Sequence, residues 1–294
     1  MTPGAQLLQF IISGLTTGST YALIAIGFSI VHNATGIVNF AQGEFVMLGG
    51  MFMITFYSFL HLPMLVAFFL AVFSVAAIGM LLERGPVRHA KSKEILVLVM
   101  ITVGASIFIK GLTMILWGKN PMTFPSFSGE TPFIFLGAAV MPQSLWVLGI
   151  TVSVVGALNY FFKKTLTGKA MRAVAANRRS ARLTGIPVDR MILLSFLLSG
   201  ALGAVAGIIL TPITTTSYDA GVMLGLKGFS AAILGGYGSM PGAVAGGFLL
   251  GVLESLAAGL ISSEYKDALA FLVLLMVLFF KPSGILGVGK LRRV

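Results

Sequence analysis

The chain has no cysteine and only three histidines among its 294 residues. Without thiols there is no disulfide framework and no thiolate metal site. His32, His61 and His89 stand near the ends of apolar segments as surface residues, and no His-Glu-x-x-His zinc pair occurs. Charge is scarce too. Only 10% of the residues are Asp, Glu, Lys or Arg, against about 25% in a soluble domain. No stretch matches G-x-x-x-x-G-K-[ST], so the chain carries no nucleotide-hydrolysing loop of that kind. An intramembrane aspartyl protease needs two carboxylates sharing a proton. Asp219 has no such neighbour in sequence, since Asp189 and Asp267 fall in loops on opposite sides of the expected membrane. The sequence therefore holds no catalytic residue, no metal site and no cofactor site, and it reads as a protein that is not an enzyme.

What remains is apolar. Hydrophobic residues make up 57% of the chain, and the mean hydropathy is +0.99. Lipid is the solvent for most of this surface. The sequence predicts an all-α, polytopic transmembrane helical bundle forming a single domain over 1–294. A span needs about 20 apolar residues, and such segments lie near 5–30, 42–60, 63–83, 95–117, 143–162 and 191–211. Two further apolar stretches, 226–258 and 267–281, are less simple. The first basic residue is Arg84, so the N-terminal segment lacks the basic start of a secretory signal and reads as a retained helix.

The net charge of +11 comes from bases that cluster beside apolar segments, which suits membrane loops and not nucleic acid. Arg84, Arg88, Lys91 and Lys93 fill one loop. Lys163, Lys164, Lys169, Arg172, Arg178, Arg179, Arg182 and Arg190 fill the long loop 163–190, and Lys281, Lys290, Arg292 and Arg293 lie in the tail. By the positive-inside rule all three are cytoplasmic. The N-terminus is then outside and the C-terminus cytoplasmic. Both flanks of 226–258 fall outside, so this stretch either crosses twice or dips in and returns. Its middle, Gly235-Gly236-Tyr237-Gly238-Ser239-Met240-Pro241-Gly242, is a turn. An arm of 226–234 is too short to span, which points to a re-entrant hairpin with its turn buried in protein.

Small residues recur at helical spacing: Ser199, Gly203 and Gly207; Gly247, Gly251, Ser255 and Gly259; Gly14 and Gly18. Such ladders suit close helix contact. Four ionisable residues fall within or beside apolar segments: Glu44, Lys110, Lys227 and Glu254. Groups of this kind are costly in lipid and often functional. The two lysines are long enough to reach an interface. Glu44 stands out because Asn39 and Gln42 are close by. It serves either as part of a polar path or as an anion at a helix start, where the dipole favours it.

Two runs carry a resemblance: Thr17-Gly18-Ser19-Thr20-Tyr21-Ala22-Leu23, and Gly36-Ile37-Val38-Asn39-Phe40-Ala41-Gln42-Gly43-Glu44-Phe45. So do Gly168-Lys169-Ala170-Met171-Arg172-Ala173-Val174-Ala175-Ala176-Asn177, the glycine-rich turn, and Lys281-Pro282-Ser283-Gly284-Ile285-Leu286-Gly287. In this order they resemble the permeases of branched-chain amino acid ABC transporters, a family that also includes urea and amide importers, and within it the shorter of two paralogues. The resemblance covers nearly the whole chain. It implies a permease subunit of an ATP-driven importer of branched-chain or other hydrophobic amino acids in a bacterial inner membrane. It further implies a second permease in a heterodimer, two cytoplasmic ATPase subunits that use the ATP, and a periplasmic or extracellular substrate-binding protein. Asn39, Phe40, Gln42 and Glu44 become candidates for the substrate path. Met171, Arg172, Val174, Ala175, Ala176, Asn177 and Gly185 become candidates for ATPase coupling, on a basic Ala-rich helix expected over 168–186. Many ABC importers place a Glu before two alanines in this element, whereas here Val174 precedes Ala175 and Ala176. The alternative is an ion-coupled transporter or channel for a small polar solute. The long basic loop with its helix argues against it.

Overall fold

The structure, a computed structural model, describes residues 3–92 and 94–287. Lys93, Lys290, Arg292 and Arg293 lie outside the described residues. The helices are α1 (Pro3–Thr35), α2 (Gln42–Ile54, continued by a wider turn at Thr55–Phe59), α3 (Met64–Leu82, likewise continued through Glu83–Val87), α4 (Ile95–Trp117), α5 (Pro142–Lys164), α6 (Leu166–Ala176), α7 (Arg178–Leu183), α8 (Val188–Thr214), α9 (Ala220–Gly235), α10 (Met240–Leu260) and α11 (Lys266–Phe280). One antiparallel hairpin, β1 (Phe133–Phe135) and β2 (Ala138–Val140), interrupts an otherwise helical chain. It leans on α1, where the Gln9 side chain exchanges hydrogen bonds with the backbone of Ala139 at 2.7 and 2.9 Å.

Six helices among the described residues are long and apolar enough to cross a membrane: α1, α3, α4, α5, α8 and α10. The segment 42–60 is not among them; its α-helical part, α2, is short and buried. Helix α2 has 13 residues, and 12 of them are buried. With the wider turn through Phe59 the helical run is about 27 Å long, and its α2 part is packed inside the bundle against protein on nearly every side. Apolar character all round a helix suits a core as well as a membrane, and composition cannot tell the two apart.

Helices α1, α2, α8, α9 and α10 form the packed centre, and α3, α4, α5 and α11 surround it with apolar outer faces. The small-residue ladders lie at the central seams. A methyl group on Gly251 would strike the backbone of Gly14 and Gly18, and one on Gly247 would strike Ala22. Gly207 meets the carbonyl of Val46, and Gly203 meets Phe45. Here α1 touches α10, and α8 touches α2, at backbone distance, the arrangement that gives dispersion contact its reach in lipid.

The first arm of the 226–258 stretch is longer than expected. Helix α9 begins at Ala220 and has 16 residues, because Ser217 to Asp219 already form the turn before it. The glycine-rich turn between α9 and α10 lies beside the end of α1, where the Asn33 amide donates to the Gly238 carbonyl at 2.8 Å. That end of the bundle also holds the basic segments Lys163 and Arg172.

Candidate functional site

The chain leaves α1 through Gly36, whose φ of +74° lets the backbone reverse, and the Gly36 N–H closes the turn on the His32 carbonyl at 2.6 Å. It then climbs back beside its own helix. Asn39 folds the next turn: its Oδ1 accepts from the Ala41 N–H at 3.2 Å, and its carbonyl accepts from the Gln42 N–H at 3.1 Å. Gln42 opens α2 and pairs with α8, donating through Nε2 to the Ser199 carbonyl at 3.1 Å while the Ser199 hydroxyl donates to its Oε1. Gly27 opposite leaves the room this amide occupies.

Glu44 lies in the first turn of α2 and is 1% exposed. Its Oε1 accepts from the Ser106 hydroxyl at 2.9 Å. Its Oε2 has no protein partner. It rests against Gly221 in the first turn of α9, where a side chain would collide with it. The carboxylate thus meets the positive ends of two helices, its own and α9, which favour an anion. It does not cap α2 by a side-chain hydrogen bond. Lys110 and Asp219 stand within electrostatic reach, and the Lys110 ammonium lies 5.6 Å from the centre of the Tyr218 ring.

Three of the four residues expected here, Asn39, Gln42 and Glu44, are almost fully buried, and Asn39 Nδ2, like Glu44 Oε2, has no partner. Phe40 is 38% exposed, and its ring sits 6.1 Å from that of Phe229. Facing this segment is a stripe on α4 that the sequence reading passed over. Thr102 accepts from the Phe40 N–H at 3.1 Å, Ser106 donates to Glu44, and Lys110 reaches Tyr218. Their spacing of four residues puts all three on one face of an apolar helix, and that periodicity was the available signal.

The basic loop folds as two helices, where the sequence suggested one over 168–186. Thr165 caps α6 by accepting from the Gly168 N–H at 3.0 Å, and Asn177 caps α7 by accepting from the Ser180 N–H at 3.1 Å. Asn177 is extended, with φ −161°, and that breaks the run. Gly185, at φ +81°, ends α7. Met171 and Val174 are buried in the chain's own core with α1 and α5 residues. Arg172, Ala175 and Ala176 face outward.

In the turn, Ser239 caps α10 by accepting from the Gly242 N–H at 3.2 Å. Gly235 and Gly242 pack backbone to backbone, and Gly236 (φ +111°) and Gly238 (φ +86°) adopt conformations that suit glycine. Pro241 is exposed. The chain after α11 returns to this place. The N–H groups of Ile285 and Leu286 donate to the Leu234 and Gly235 carbonyls, both at 2.9 Å, satisfying the open end of α9. Gly284 (φ +77°) makes the bend, and Lys281 holds it by donating to the Ile285 carbonyl at 2.7 Å.

A second buried polar cluster escaped the sequence reading. The Lys227 ammonium lies 2.7 Å from Glu254 Oε1 and 2.7 Å from Asp267 Oδ1. The Tyr21 hydroxyl donates to Glu254 Oε2 at 2.8 Å. Lys227 is 7% exposed and so joins α1, α9, α10 and α11 in place of reaching an interface. Asp267, expected in a loop, opens α11.

Residues 10–278 match the family described as branched-chain amino acid transport system, permease component. The high-affinity branched-chain amino acid transport system permease protein LivH of Salmonella typhimurium is 36% identical over 98% of this chain and 97% of its own length. The corresponding protein BraD of Pseudomonas aeruginosa is 35% identical over 98% of each. The ribose import permease protein RbsC of Haemophilus influenzae is 26% identical over 96% of this chain and 87% of its own length. Among solved structures, PsaBC from Streptococcus pneumoniae in complex with Fab aligns over 95% of this chain and 92% of that one, with a TM-score of 0.49 and 14% identity.

Proposed function

The chain belongs to the branched-chain amino acid transport system permease family, and from that premise we propose that it moves branched-chain or other hydrophobic amino acids across a bacterial inner membrane. Its partners in this reading are a second, dissimilar permease, two cytoplasmic ATPases that consume the ATP, and an external binding protein that delivers cargo. The observation that carries the path is the polar seam at the start of α2. A buried carboxylate oxygen and a buried amide nitrogen, Glu44 Oε2 and Asn39 Nδ2, stand close in sequence without protein partners. Unmatched polar groups in lipid are costly, and here a passing ammonium or water can serve as their partner. Phe40 and Phe229 supply apolar contact beside them.

Helix α6 is the coupling element in this reading. Its exposed residues Ala175 and Ala176 can meet an ATPase, while Met171 and Val174 root it in the bundle. A push on α6 is then felt directly by α1 and α5. For the α9–α10 stretch, the turn beside Asn33 and the basic loop favours two crossings over a re-entrant hairpin. With the positive-inside rule this keeps the N-terminus outside and the C-terminus cytoplasmic.

The test is Glu44→Gln in the complete complex, reconstituted in vesicles with binding protein, ATP and labelled leucine. A charge-assisted hydrogen bond is worth about 1.5–3 kcal/mol, so uptake at low cargo should fall by roughly 10- to 150-fold while ATP hydrolysis persists. Wild-type uptake at every cargo concentration would remove Glu44 from the path.

A further inference from the structure

A cavity of about 720 Å³ opens between α5 and α10, floored by α1 and closed at one end by α6. Its depth from Val155 to Lys163 on α5 is eight residues, or about 12 Å. The inner part is apolar, with Ile26 and Ile30 of α1, Val155 of α5 and Val244 of α10. The polar groups gather at the end beside α6, where Lys163 and Arg172 stand with Asn159. No acidic residue lines the cavity, and among the described residues neither Lys163 nor Arg172 has an ion-pair partner. Deeper in, the Ser29 hydroxyl is buried without a hydrogen-bond partner.

This distribution selects among occupants. An amino acid would need an anion for its ammonium, and among the described residues the walls offer no carboxylate, only the neutral side chains of Ser29, Asn33 and Asn159 beside two cations. An ATPase segment would approach the exposed end of α6 at Ala176, whereas Arg172 and Ala175 stand at the mouth of the cavity and Met171 turns inward behind them. A molecule with an apolar chain and a negative head matches both ends. Basic pockets between membrane helices bind anionic headgroups in this way. We propose that this cavity is a binding site for one anionic phospholipid, its phosphate on Lys163 and Arg172 and an acyl chain between α5 and α10. The volume falls within the roughly 300–1,000 Å³ of small-ligand cavities, so the site holds the headgroup end and the upper part of a chain, and the rest lies in the bilayer. The lipid would fill the space between α6 and α1, stiffening the contact through which α6 is joined to the core.

The experiment is native mass spectrometry of the complex purified from its native membrane, delipidated and titrated with phosphatidylglycerol or phosphatidylcholine. Wild type should retain one phosphatidylglycerol in preference to phosphatidylcholine. The variant K163Q/R172Q should lose that preference by about thirtyfold, equivalent to about 2 kcal/mol at about 1 kcal/mol per basic side chain. Gly156 lines the cavity, and a side chain there meets nothing within 4 Å. Gly156→Leu should therefore fold normally, fill the space and displace the lipid without altering charge. A charge control, K169Q/R179Q, lies outside the lining and should keep the wild-type lipid. Equal retention of the two lipids by wild type, unchanged retention in K163Q/R172Q, or equal loss in the charge control would each overturn the proposal.

Discussion

Removing Lys227 should destabilise the bundle more than removing the charge of Glu254, although the two form one ion pair. The cluster holds one cation and two carboxylates. Replacing Lys227 with Met keeps the length of the side chain but leaves Glu254 and Asp267 facing each other with the Tyr21 hydroxyl as the remaining donor to Glu254. Glu254 is 7% exposed, so its charge has little water to turn to, and breaking a buried pair in this way costs about 3–5 kcal/mol. Glu254→Gln instead leaves Lys227 paired with Asp267 and keeps an oxygen to accept from Tyr21, so the cost falls to about 1–2 kcal/mol. The difference, about 2 kcal/mol, is some thirtyfold in the unfolding equilibrium. In membranes the unfolded helices find polar partners of their own, which shrinks both figures but not their order. Thermal unfolding in mild detergent, with equilibrium titration by a denaturing detergent, reads the order directly. The double variant K227M/E254L should be more stable than K227M, because the uncompensated buried carboxylate is gone. Equal losses for the two single variants, or a larger loss for Glu254→Gln, would refute the reasoning.

Gly251→Leu should cost about 3 kcal/mol or more, at the top of the overpacking range, because its side chain would enter the backbone of Gly14 and Gly18. Gly111→Leu, which meets nothing within 4 Å, should unfold at the wild-type temperature; both are read by thermal unfolding. Ala175→Glu should abolish ATPase recovery and uptake while membrane insertion persists, as co-purification and uptake assays would report. Pro241→Cys, in a chain with no native cysteine, should react with a membrane-impermeant maleimide only from the cytoplasmic side; labelling only from outside would restore the re-entrant reading.

The parts legible in the sequence are those whose physics is local. Gly247 and Gly251 announce a close seam because four-residue spacing and a missing side chain have few other uses in a membrane helix. The turn at Gly235 to Gly242 is written in its own glycines and proline. The breaks at Gly36 and Gly185 are equally local, since each needs φ above zero. What escaped depends on partners distant in the chain. Lys227 and Glu254 are on different helices, and nothing in either helix names the other. The motif from Lys281 to Gly287 carries a resemblance, yet that its backbone caps α9 only the folded chain reveals. The burial of α2 is not legible because lipid and a protein core accept the same side chains. The α4 stripe is written in the four-residue spacing of Thr102, Ser106 and Lys110, and shows only when the polar residues are taken together as one face.

These contacts divide the bundle into seams held by different forces. Between α1 and α10 the hold is backbone contact through Gly14, Gly18, Gly247 and Gly251. Lipid gives apolar faces no reason of their own to associate, so such a seam depends on shape and is indifferent to water or cargo. Helix α4 has no such ladder. Gly104 and Gly111 meet nothing within 4 Å, and its outer face is bare. What joins it to the 38–44 segment and to Tyr218 is the run of contacts through Thr102, Ser106 and Lys110. Each of these can be exchanged for water or for an amino acid's ammonium and carboxylate at small net cost, because a hydrogen bond replaced by another of similar strength changes the balance little. On the path proposed for cargo, these polar groups make the α4 seam the one that cargo loosens, while the glycine seam between α1 and α10 stays closed.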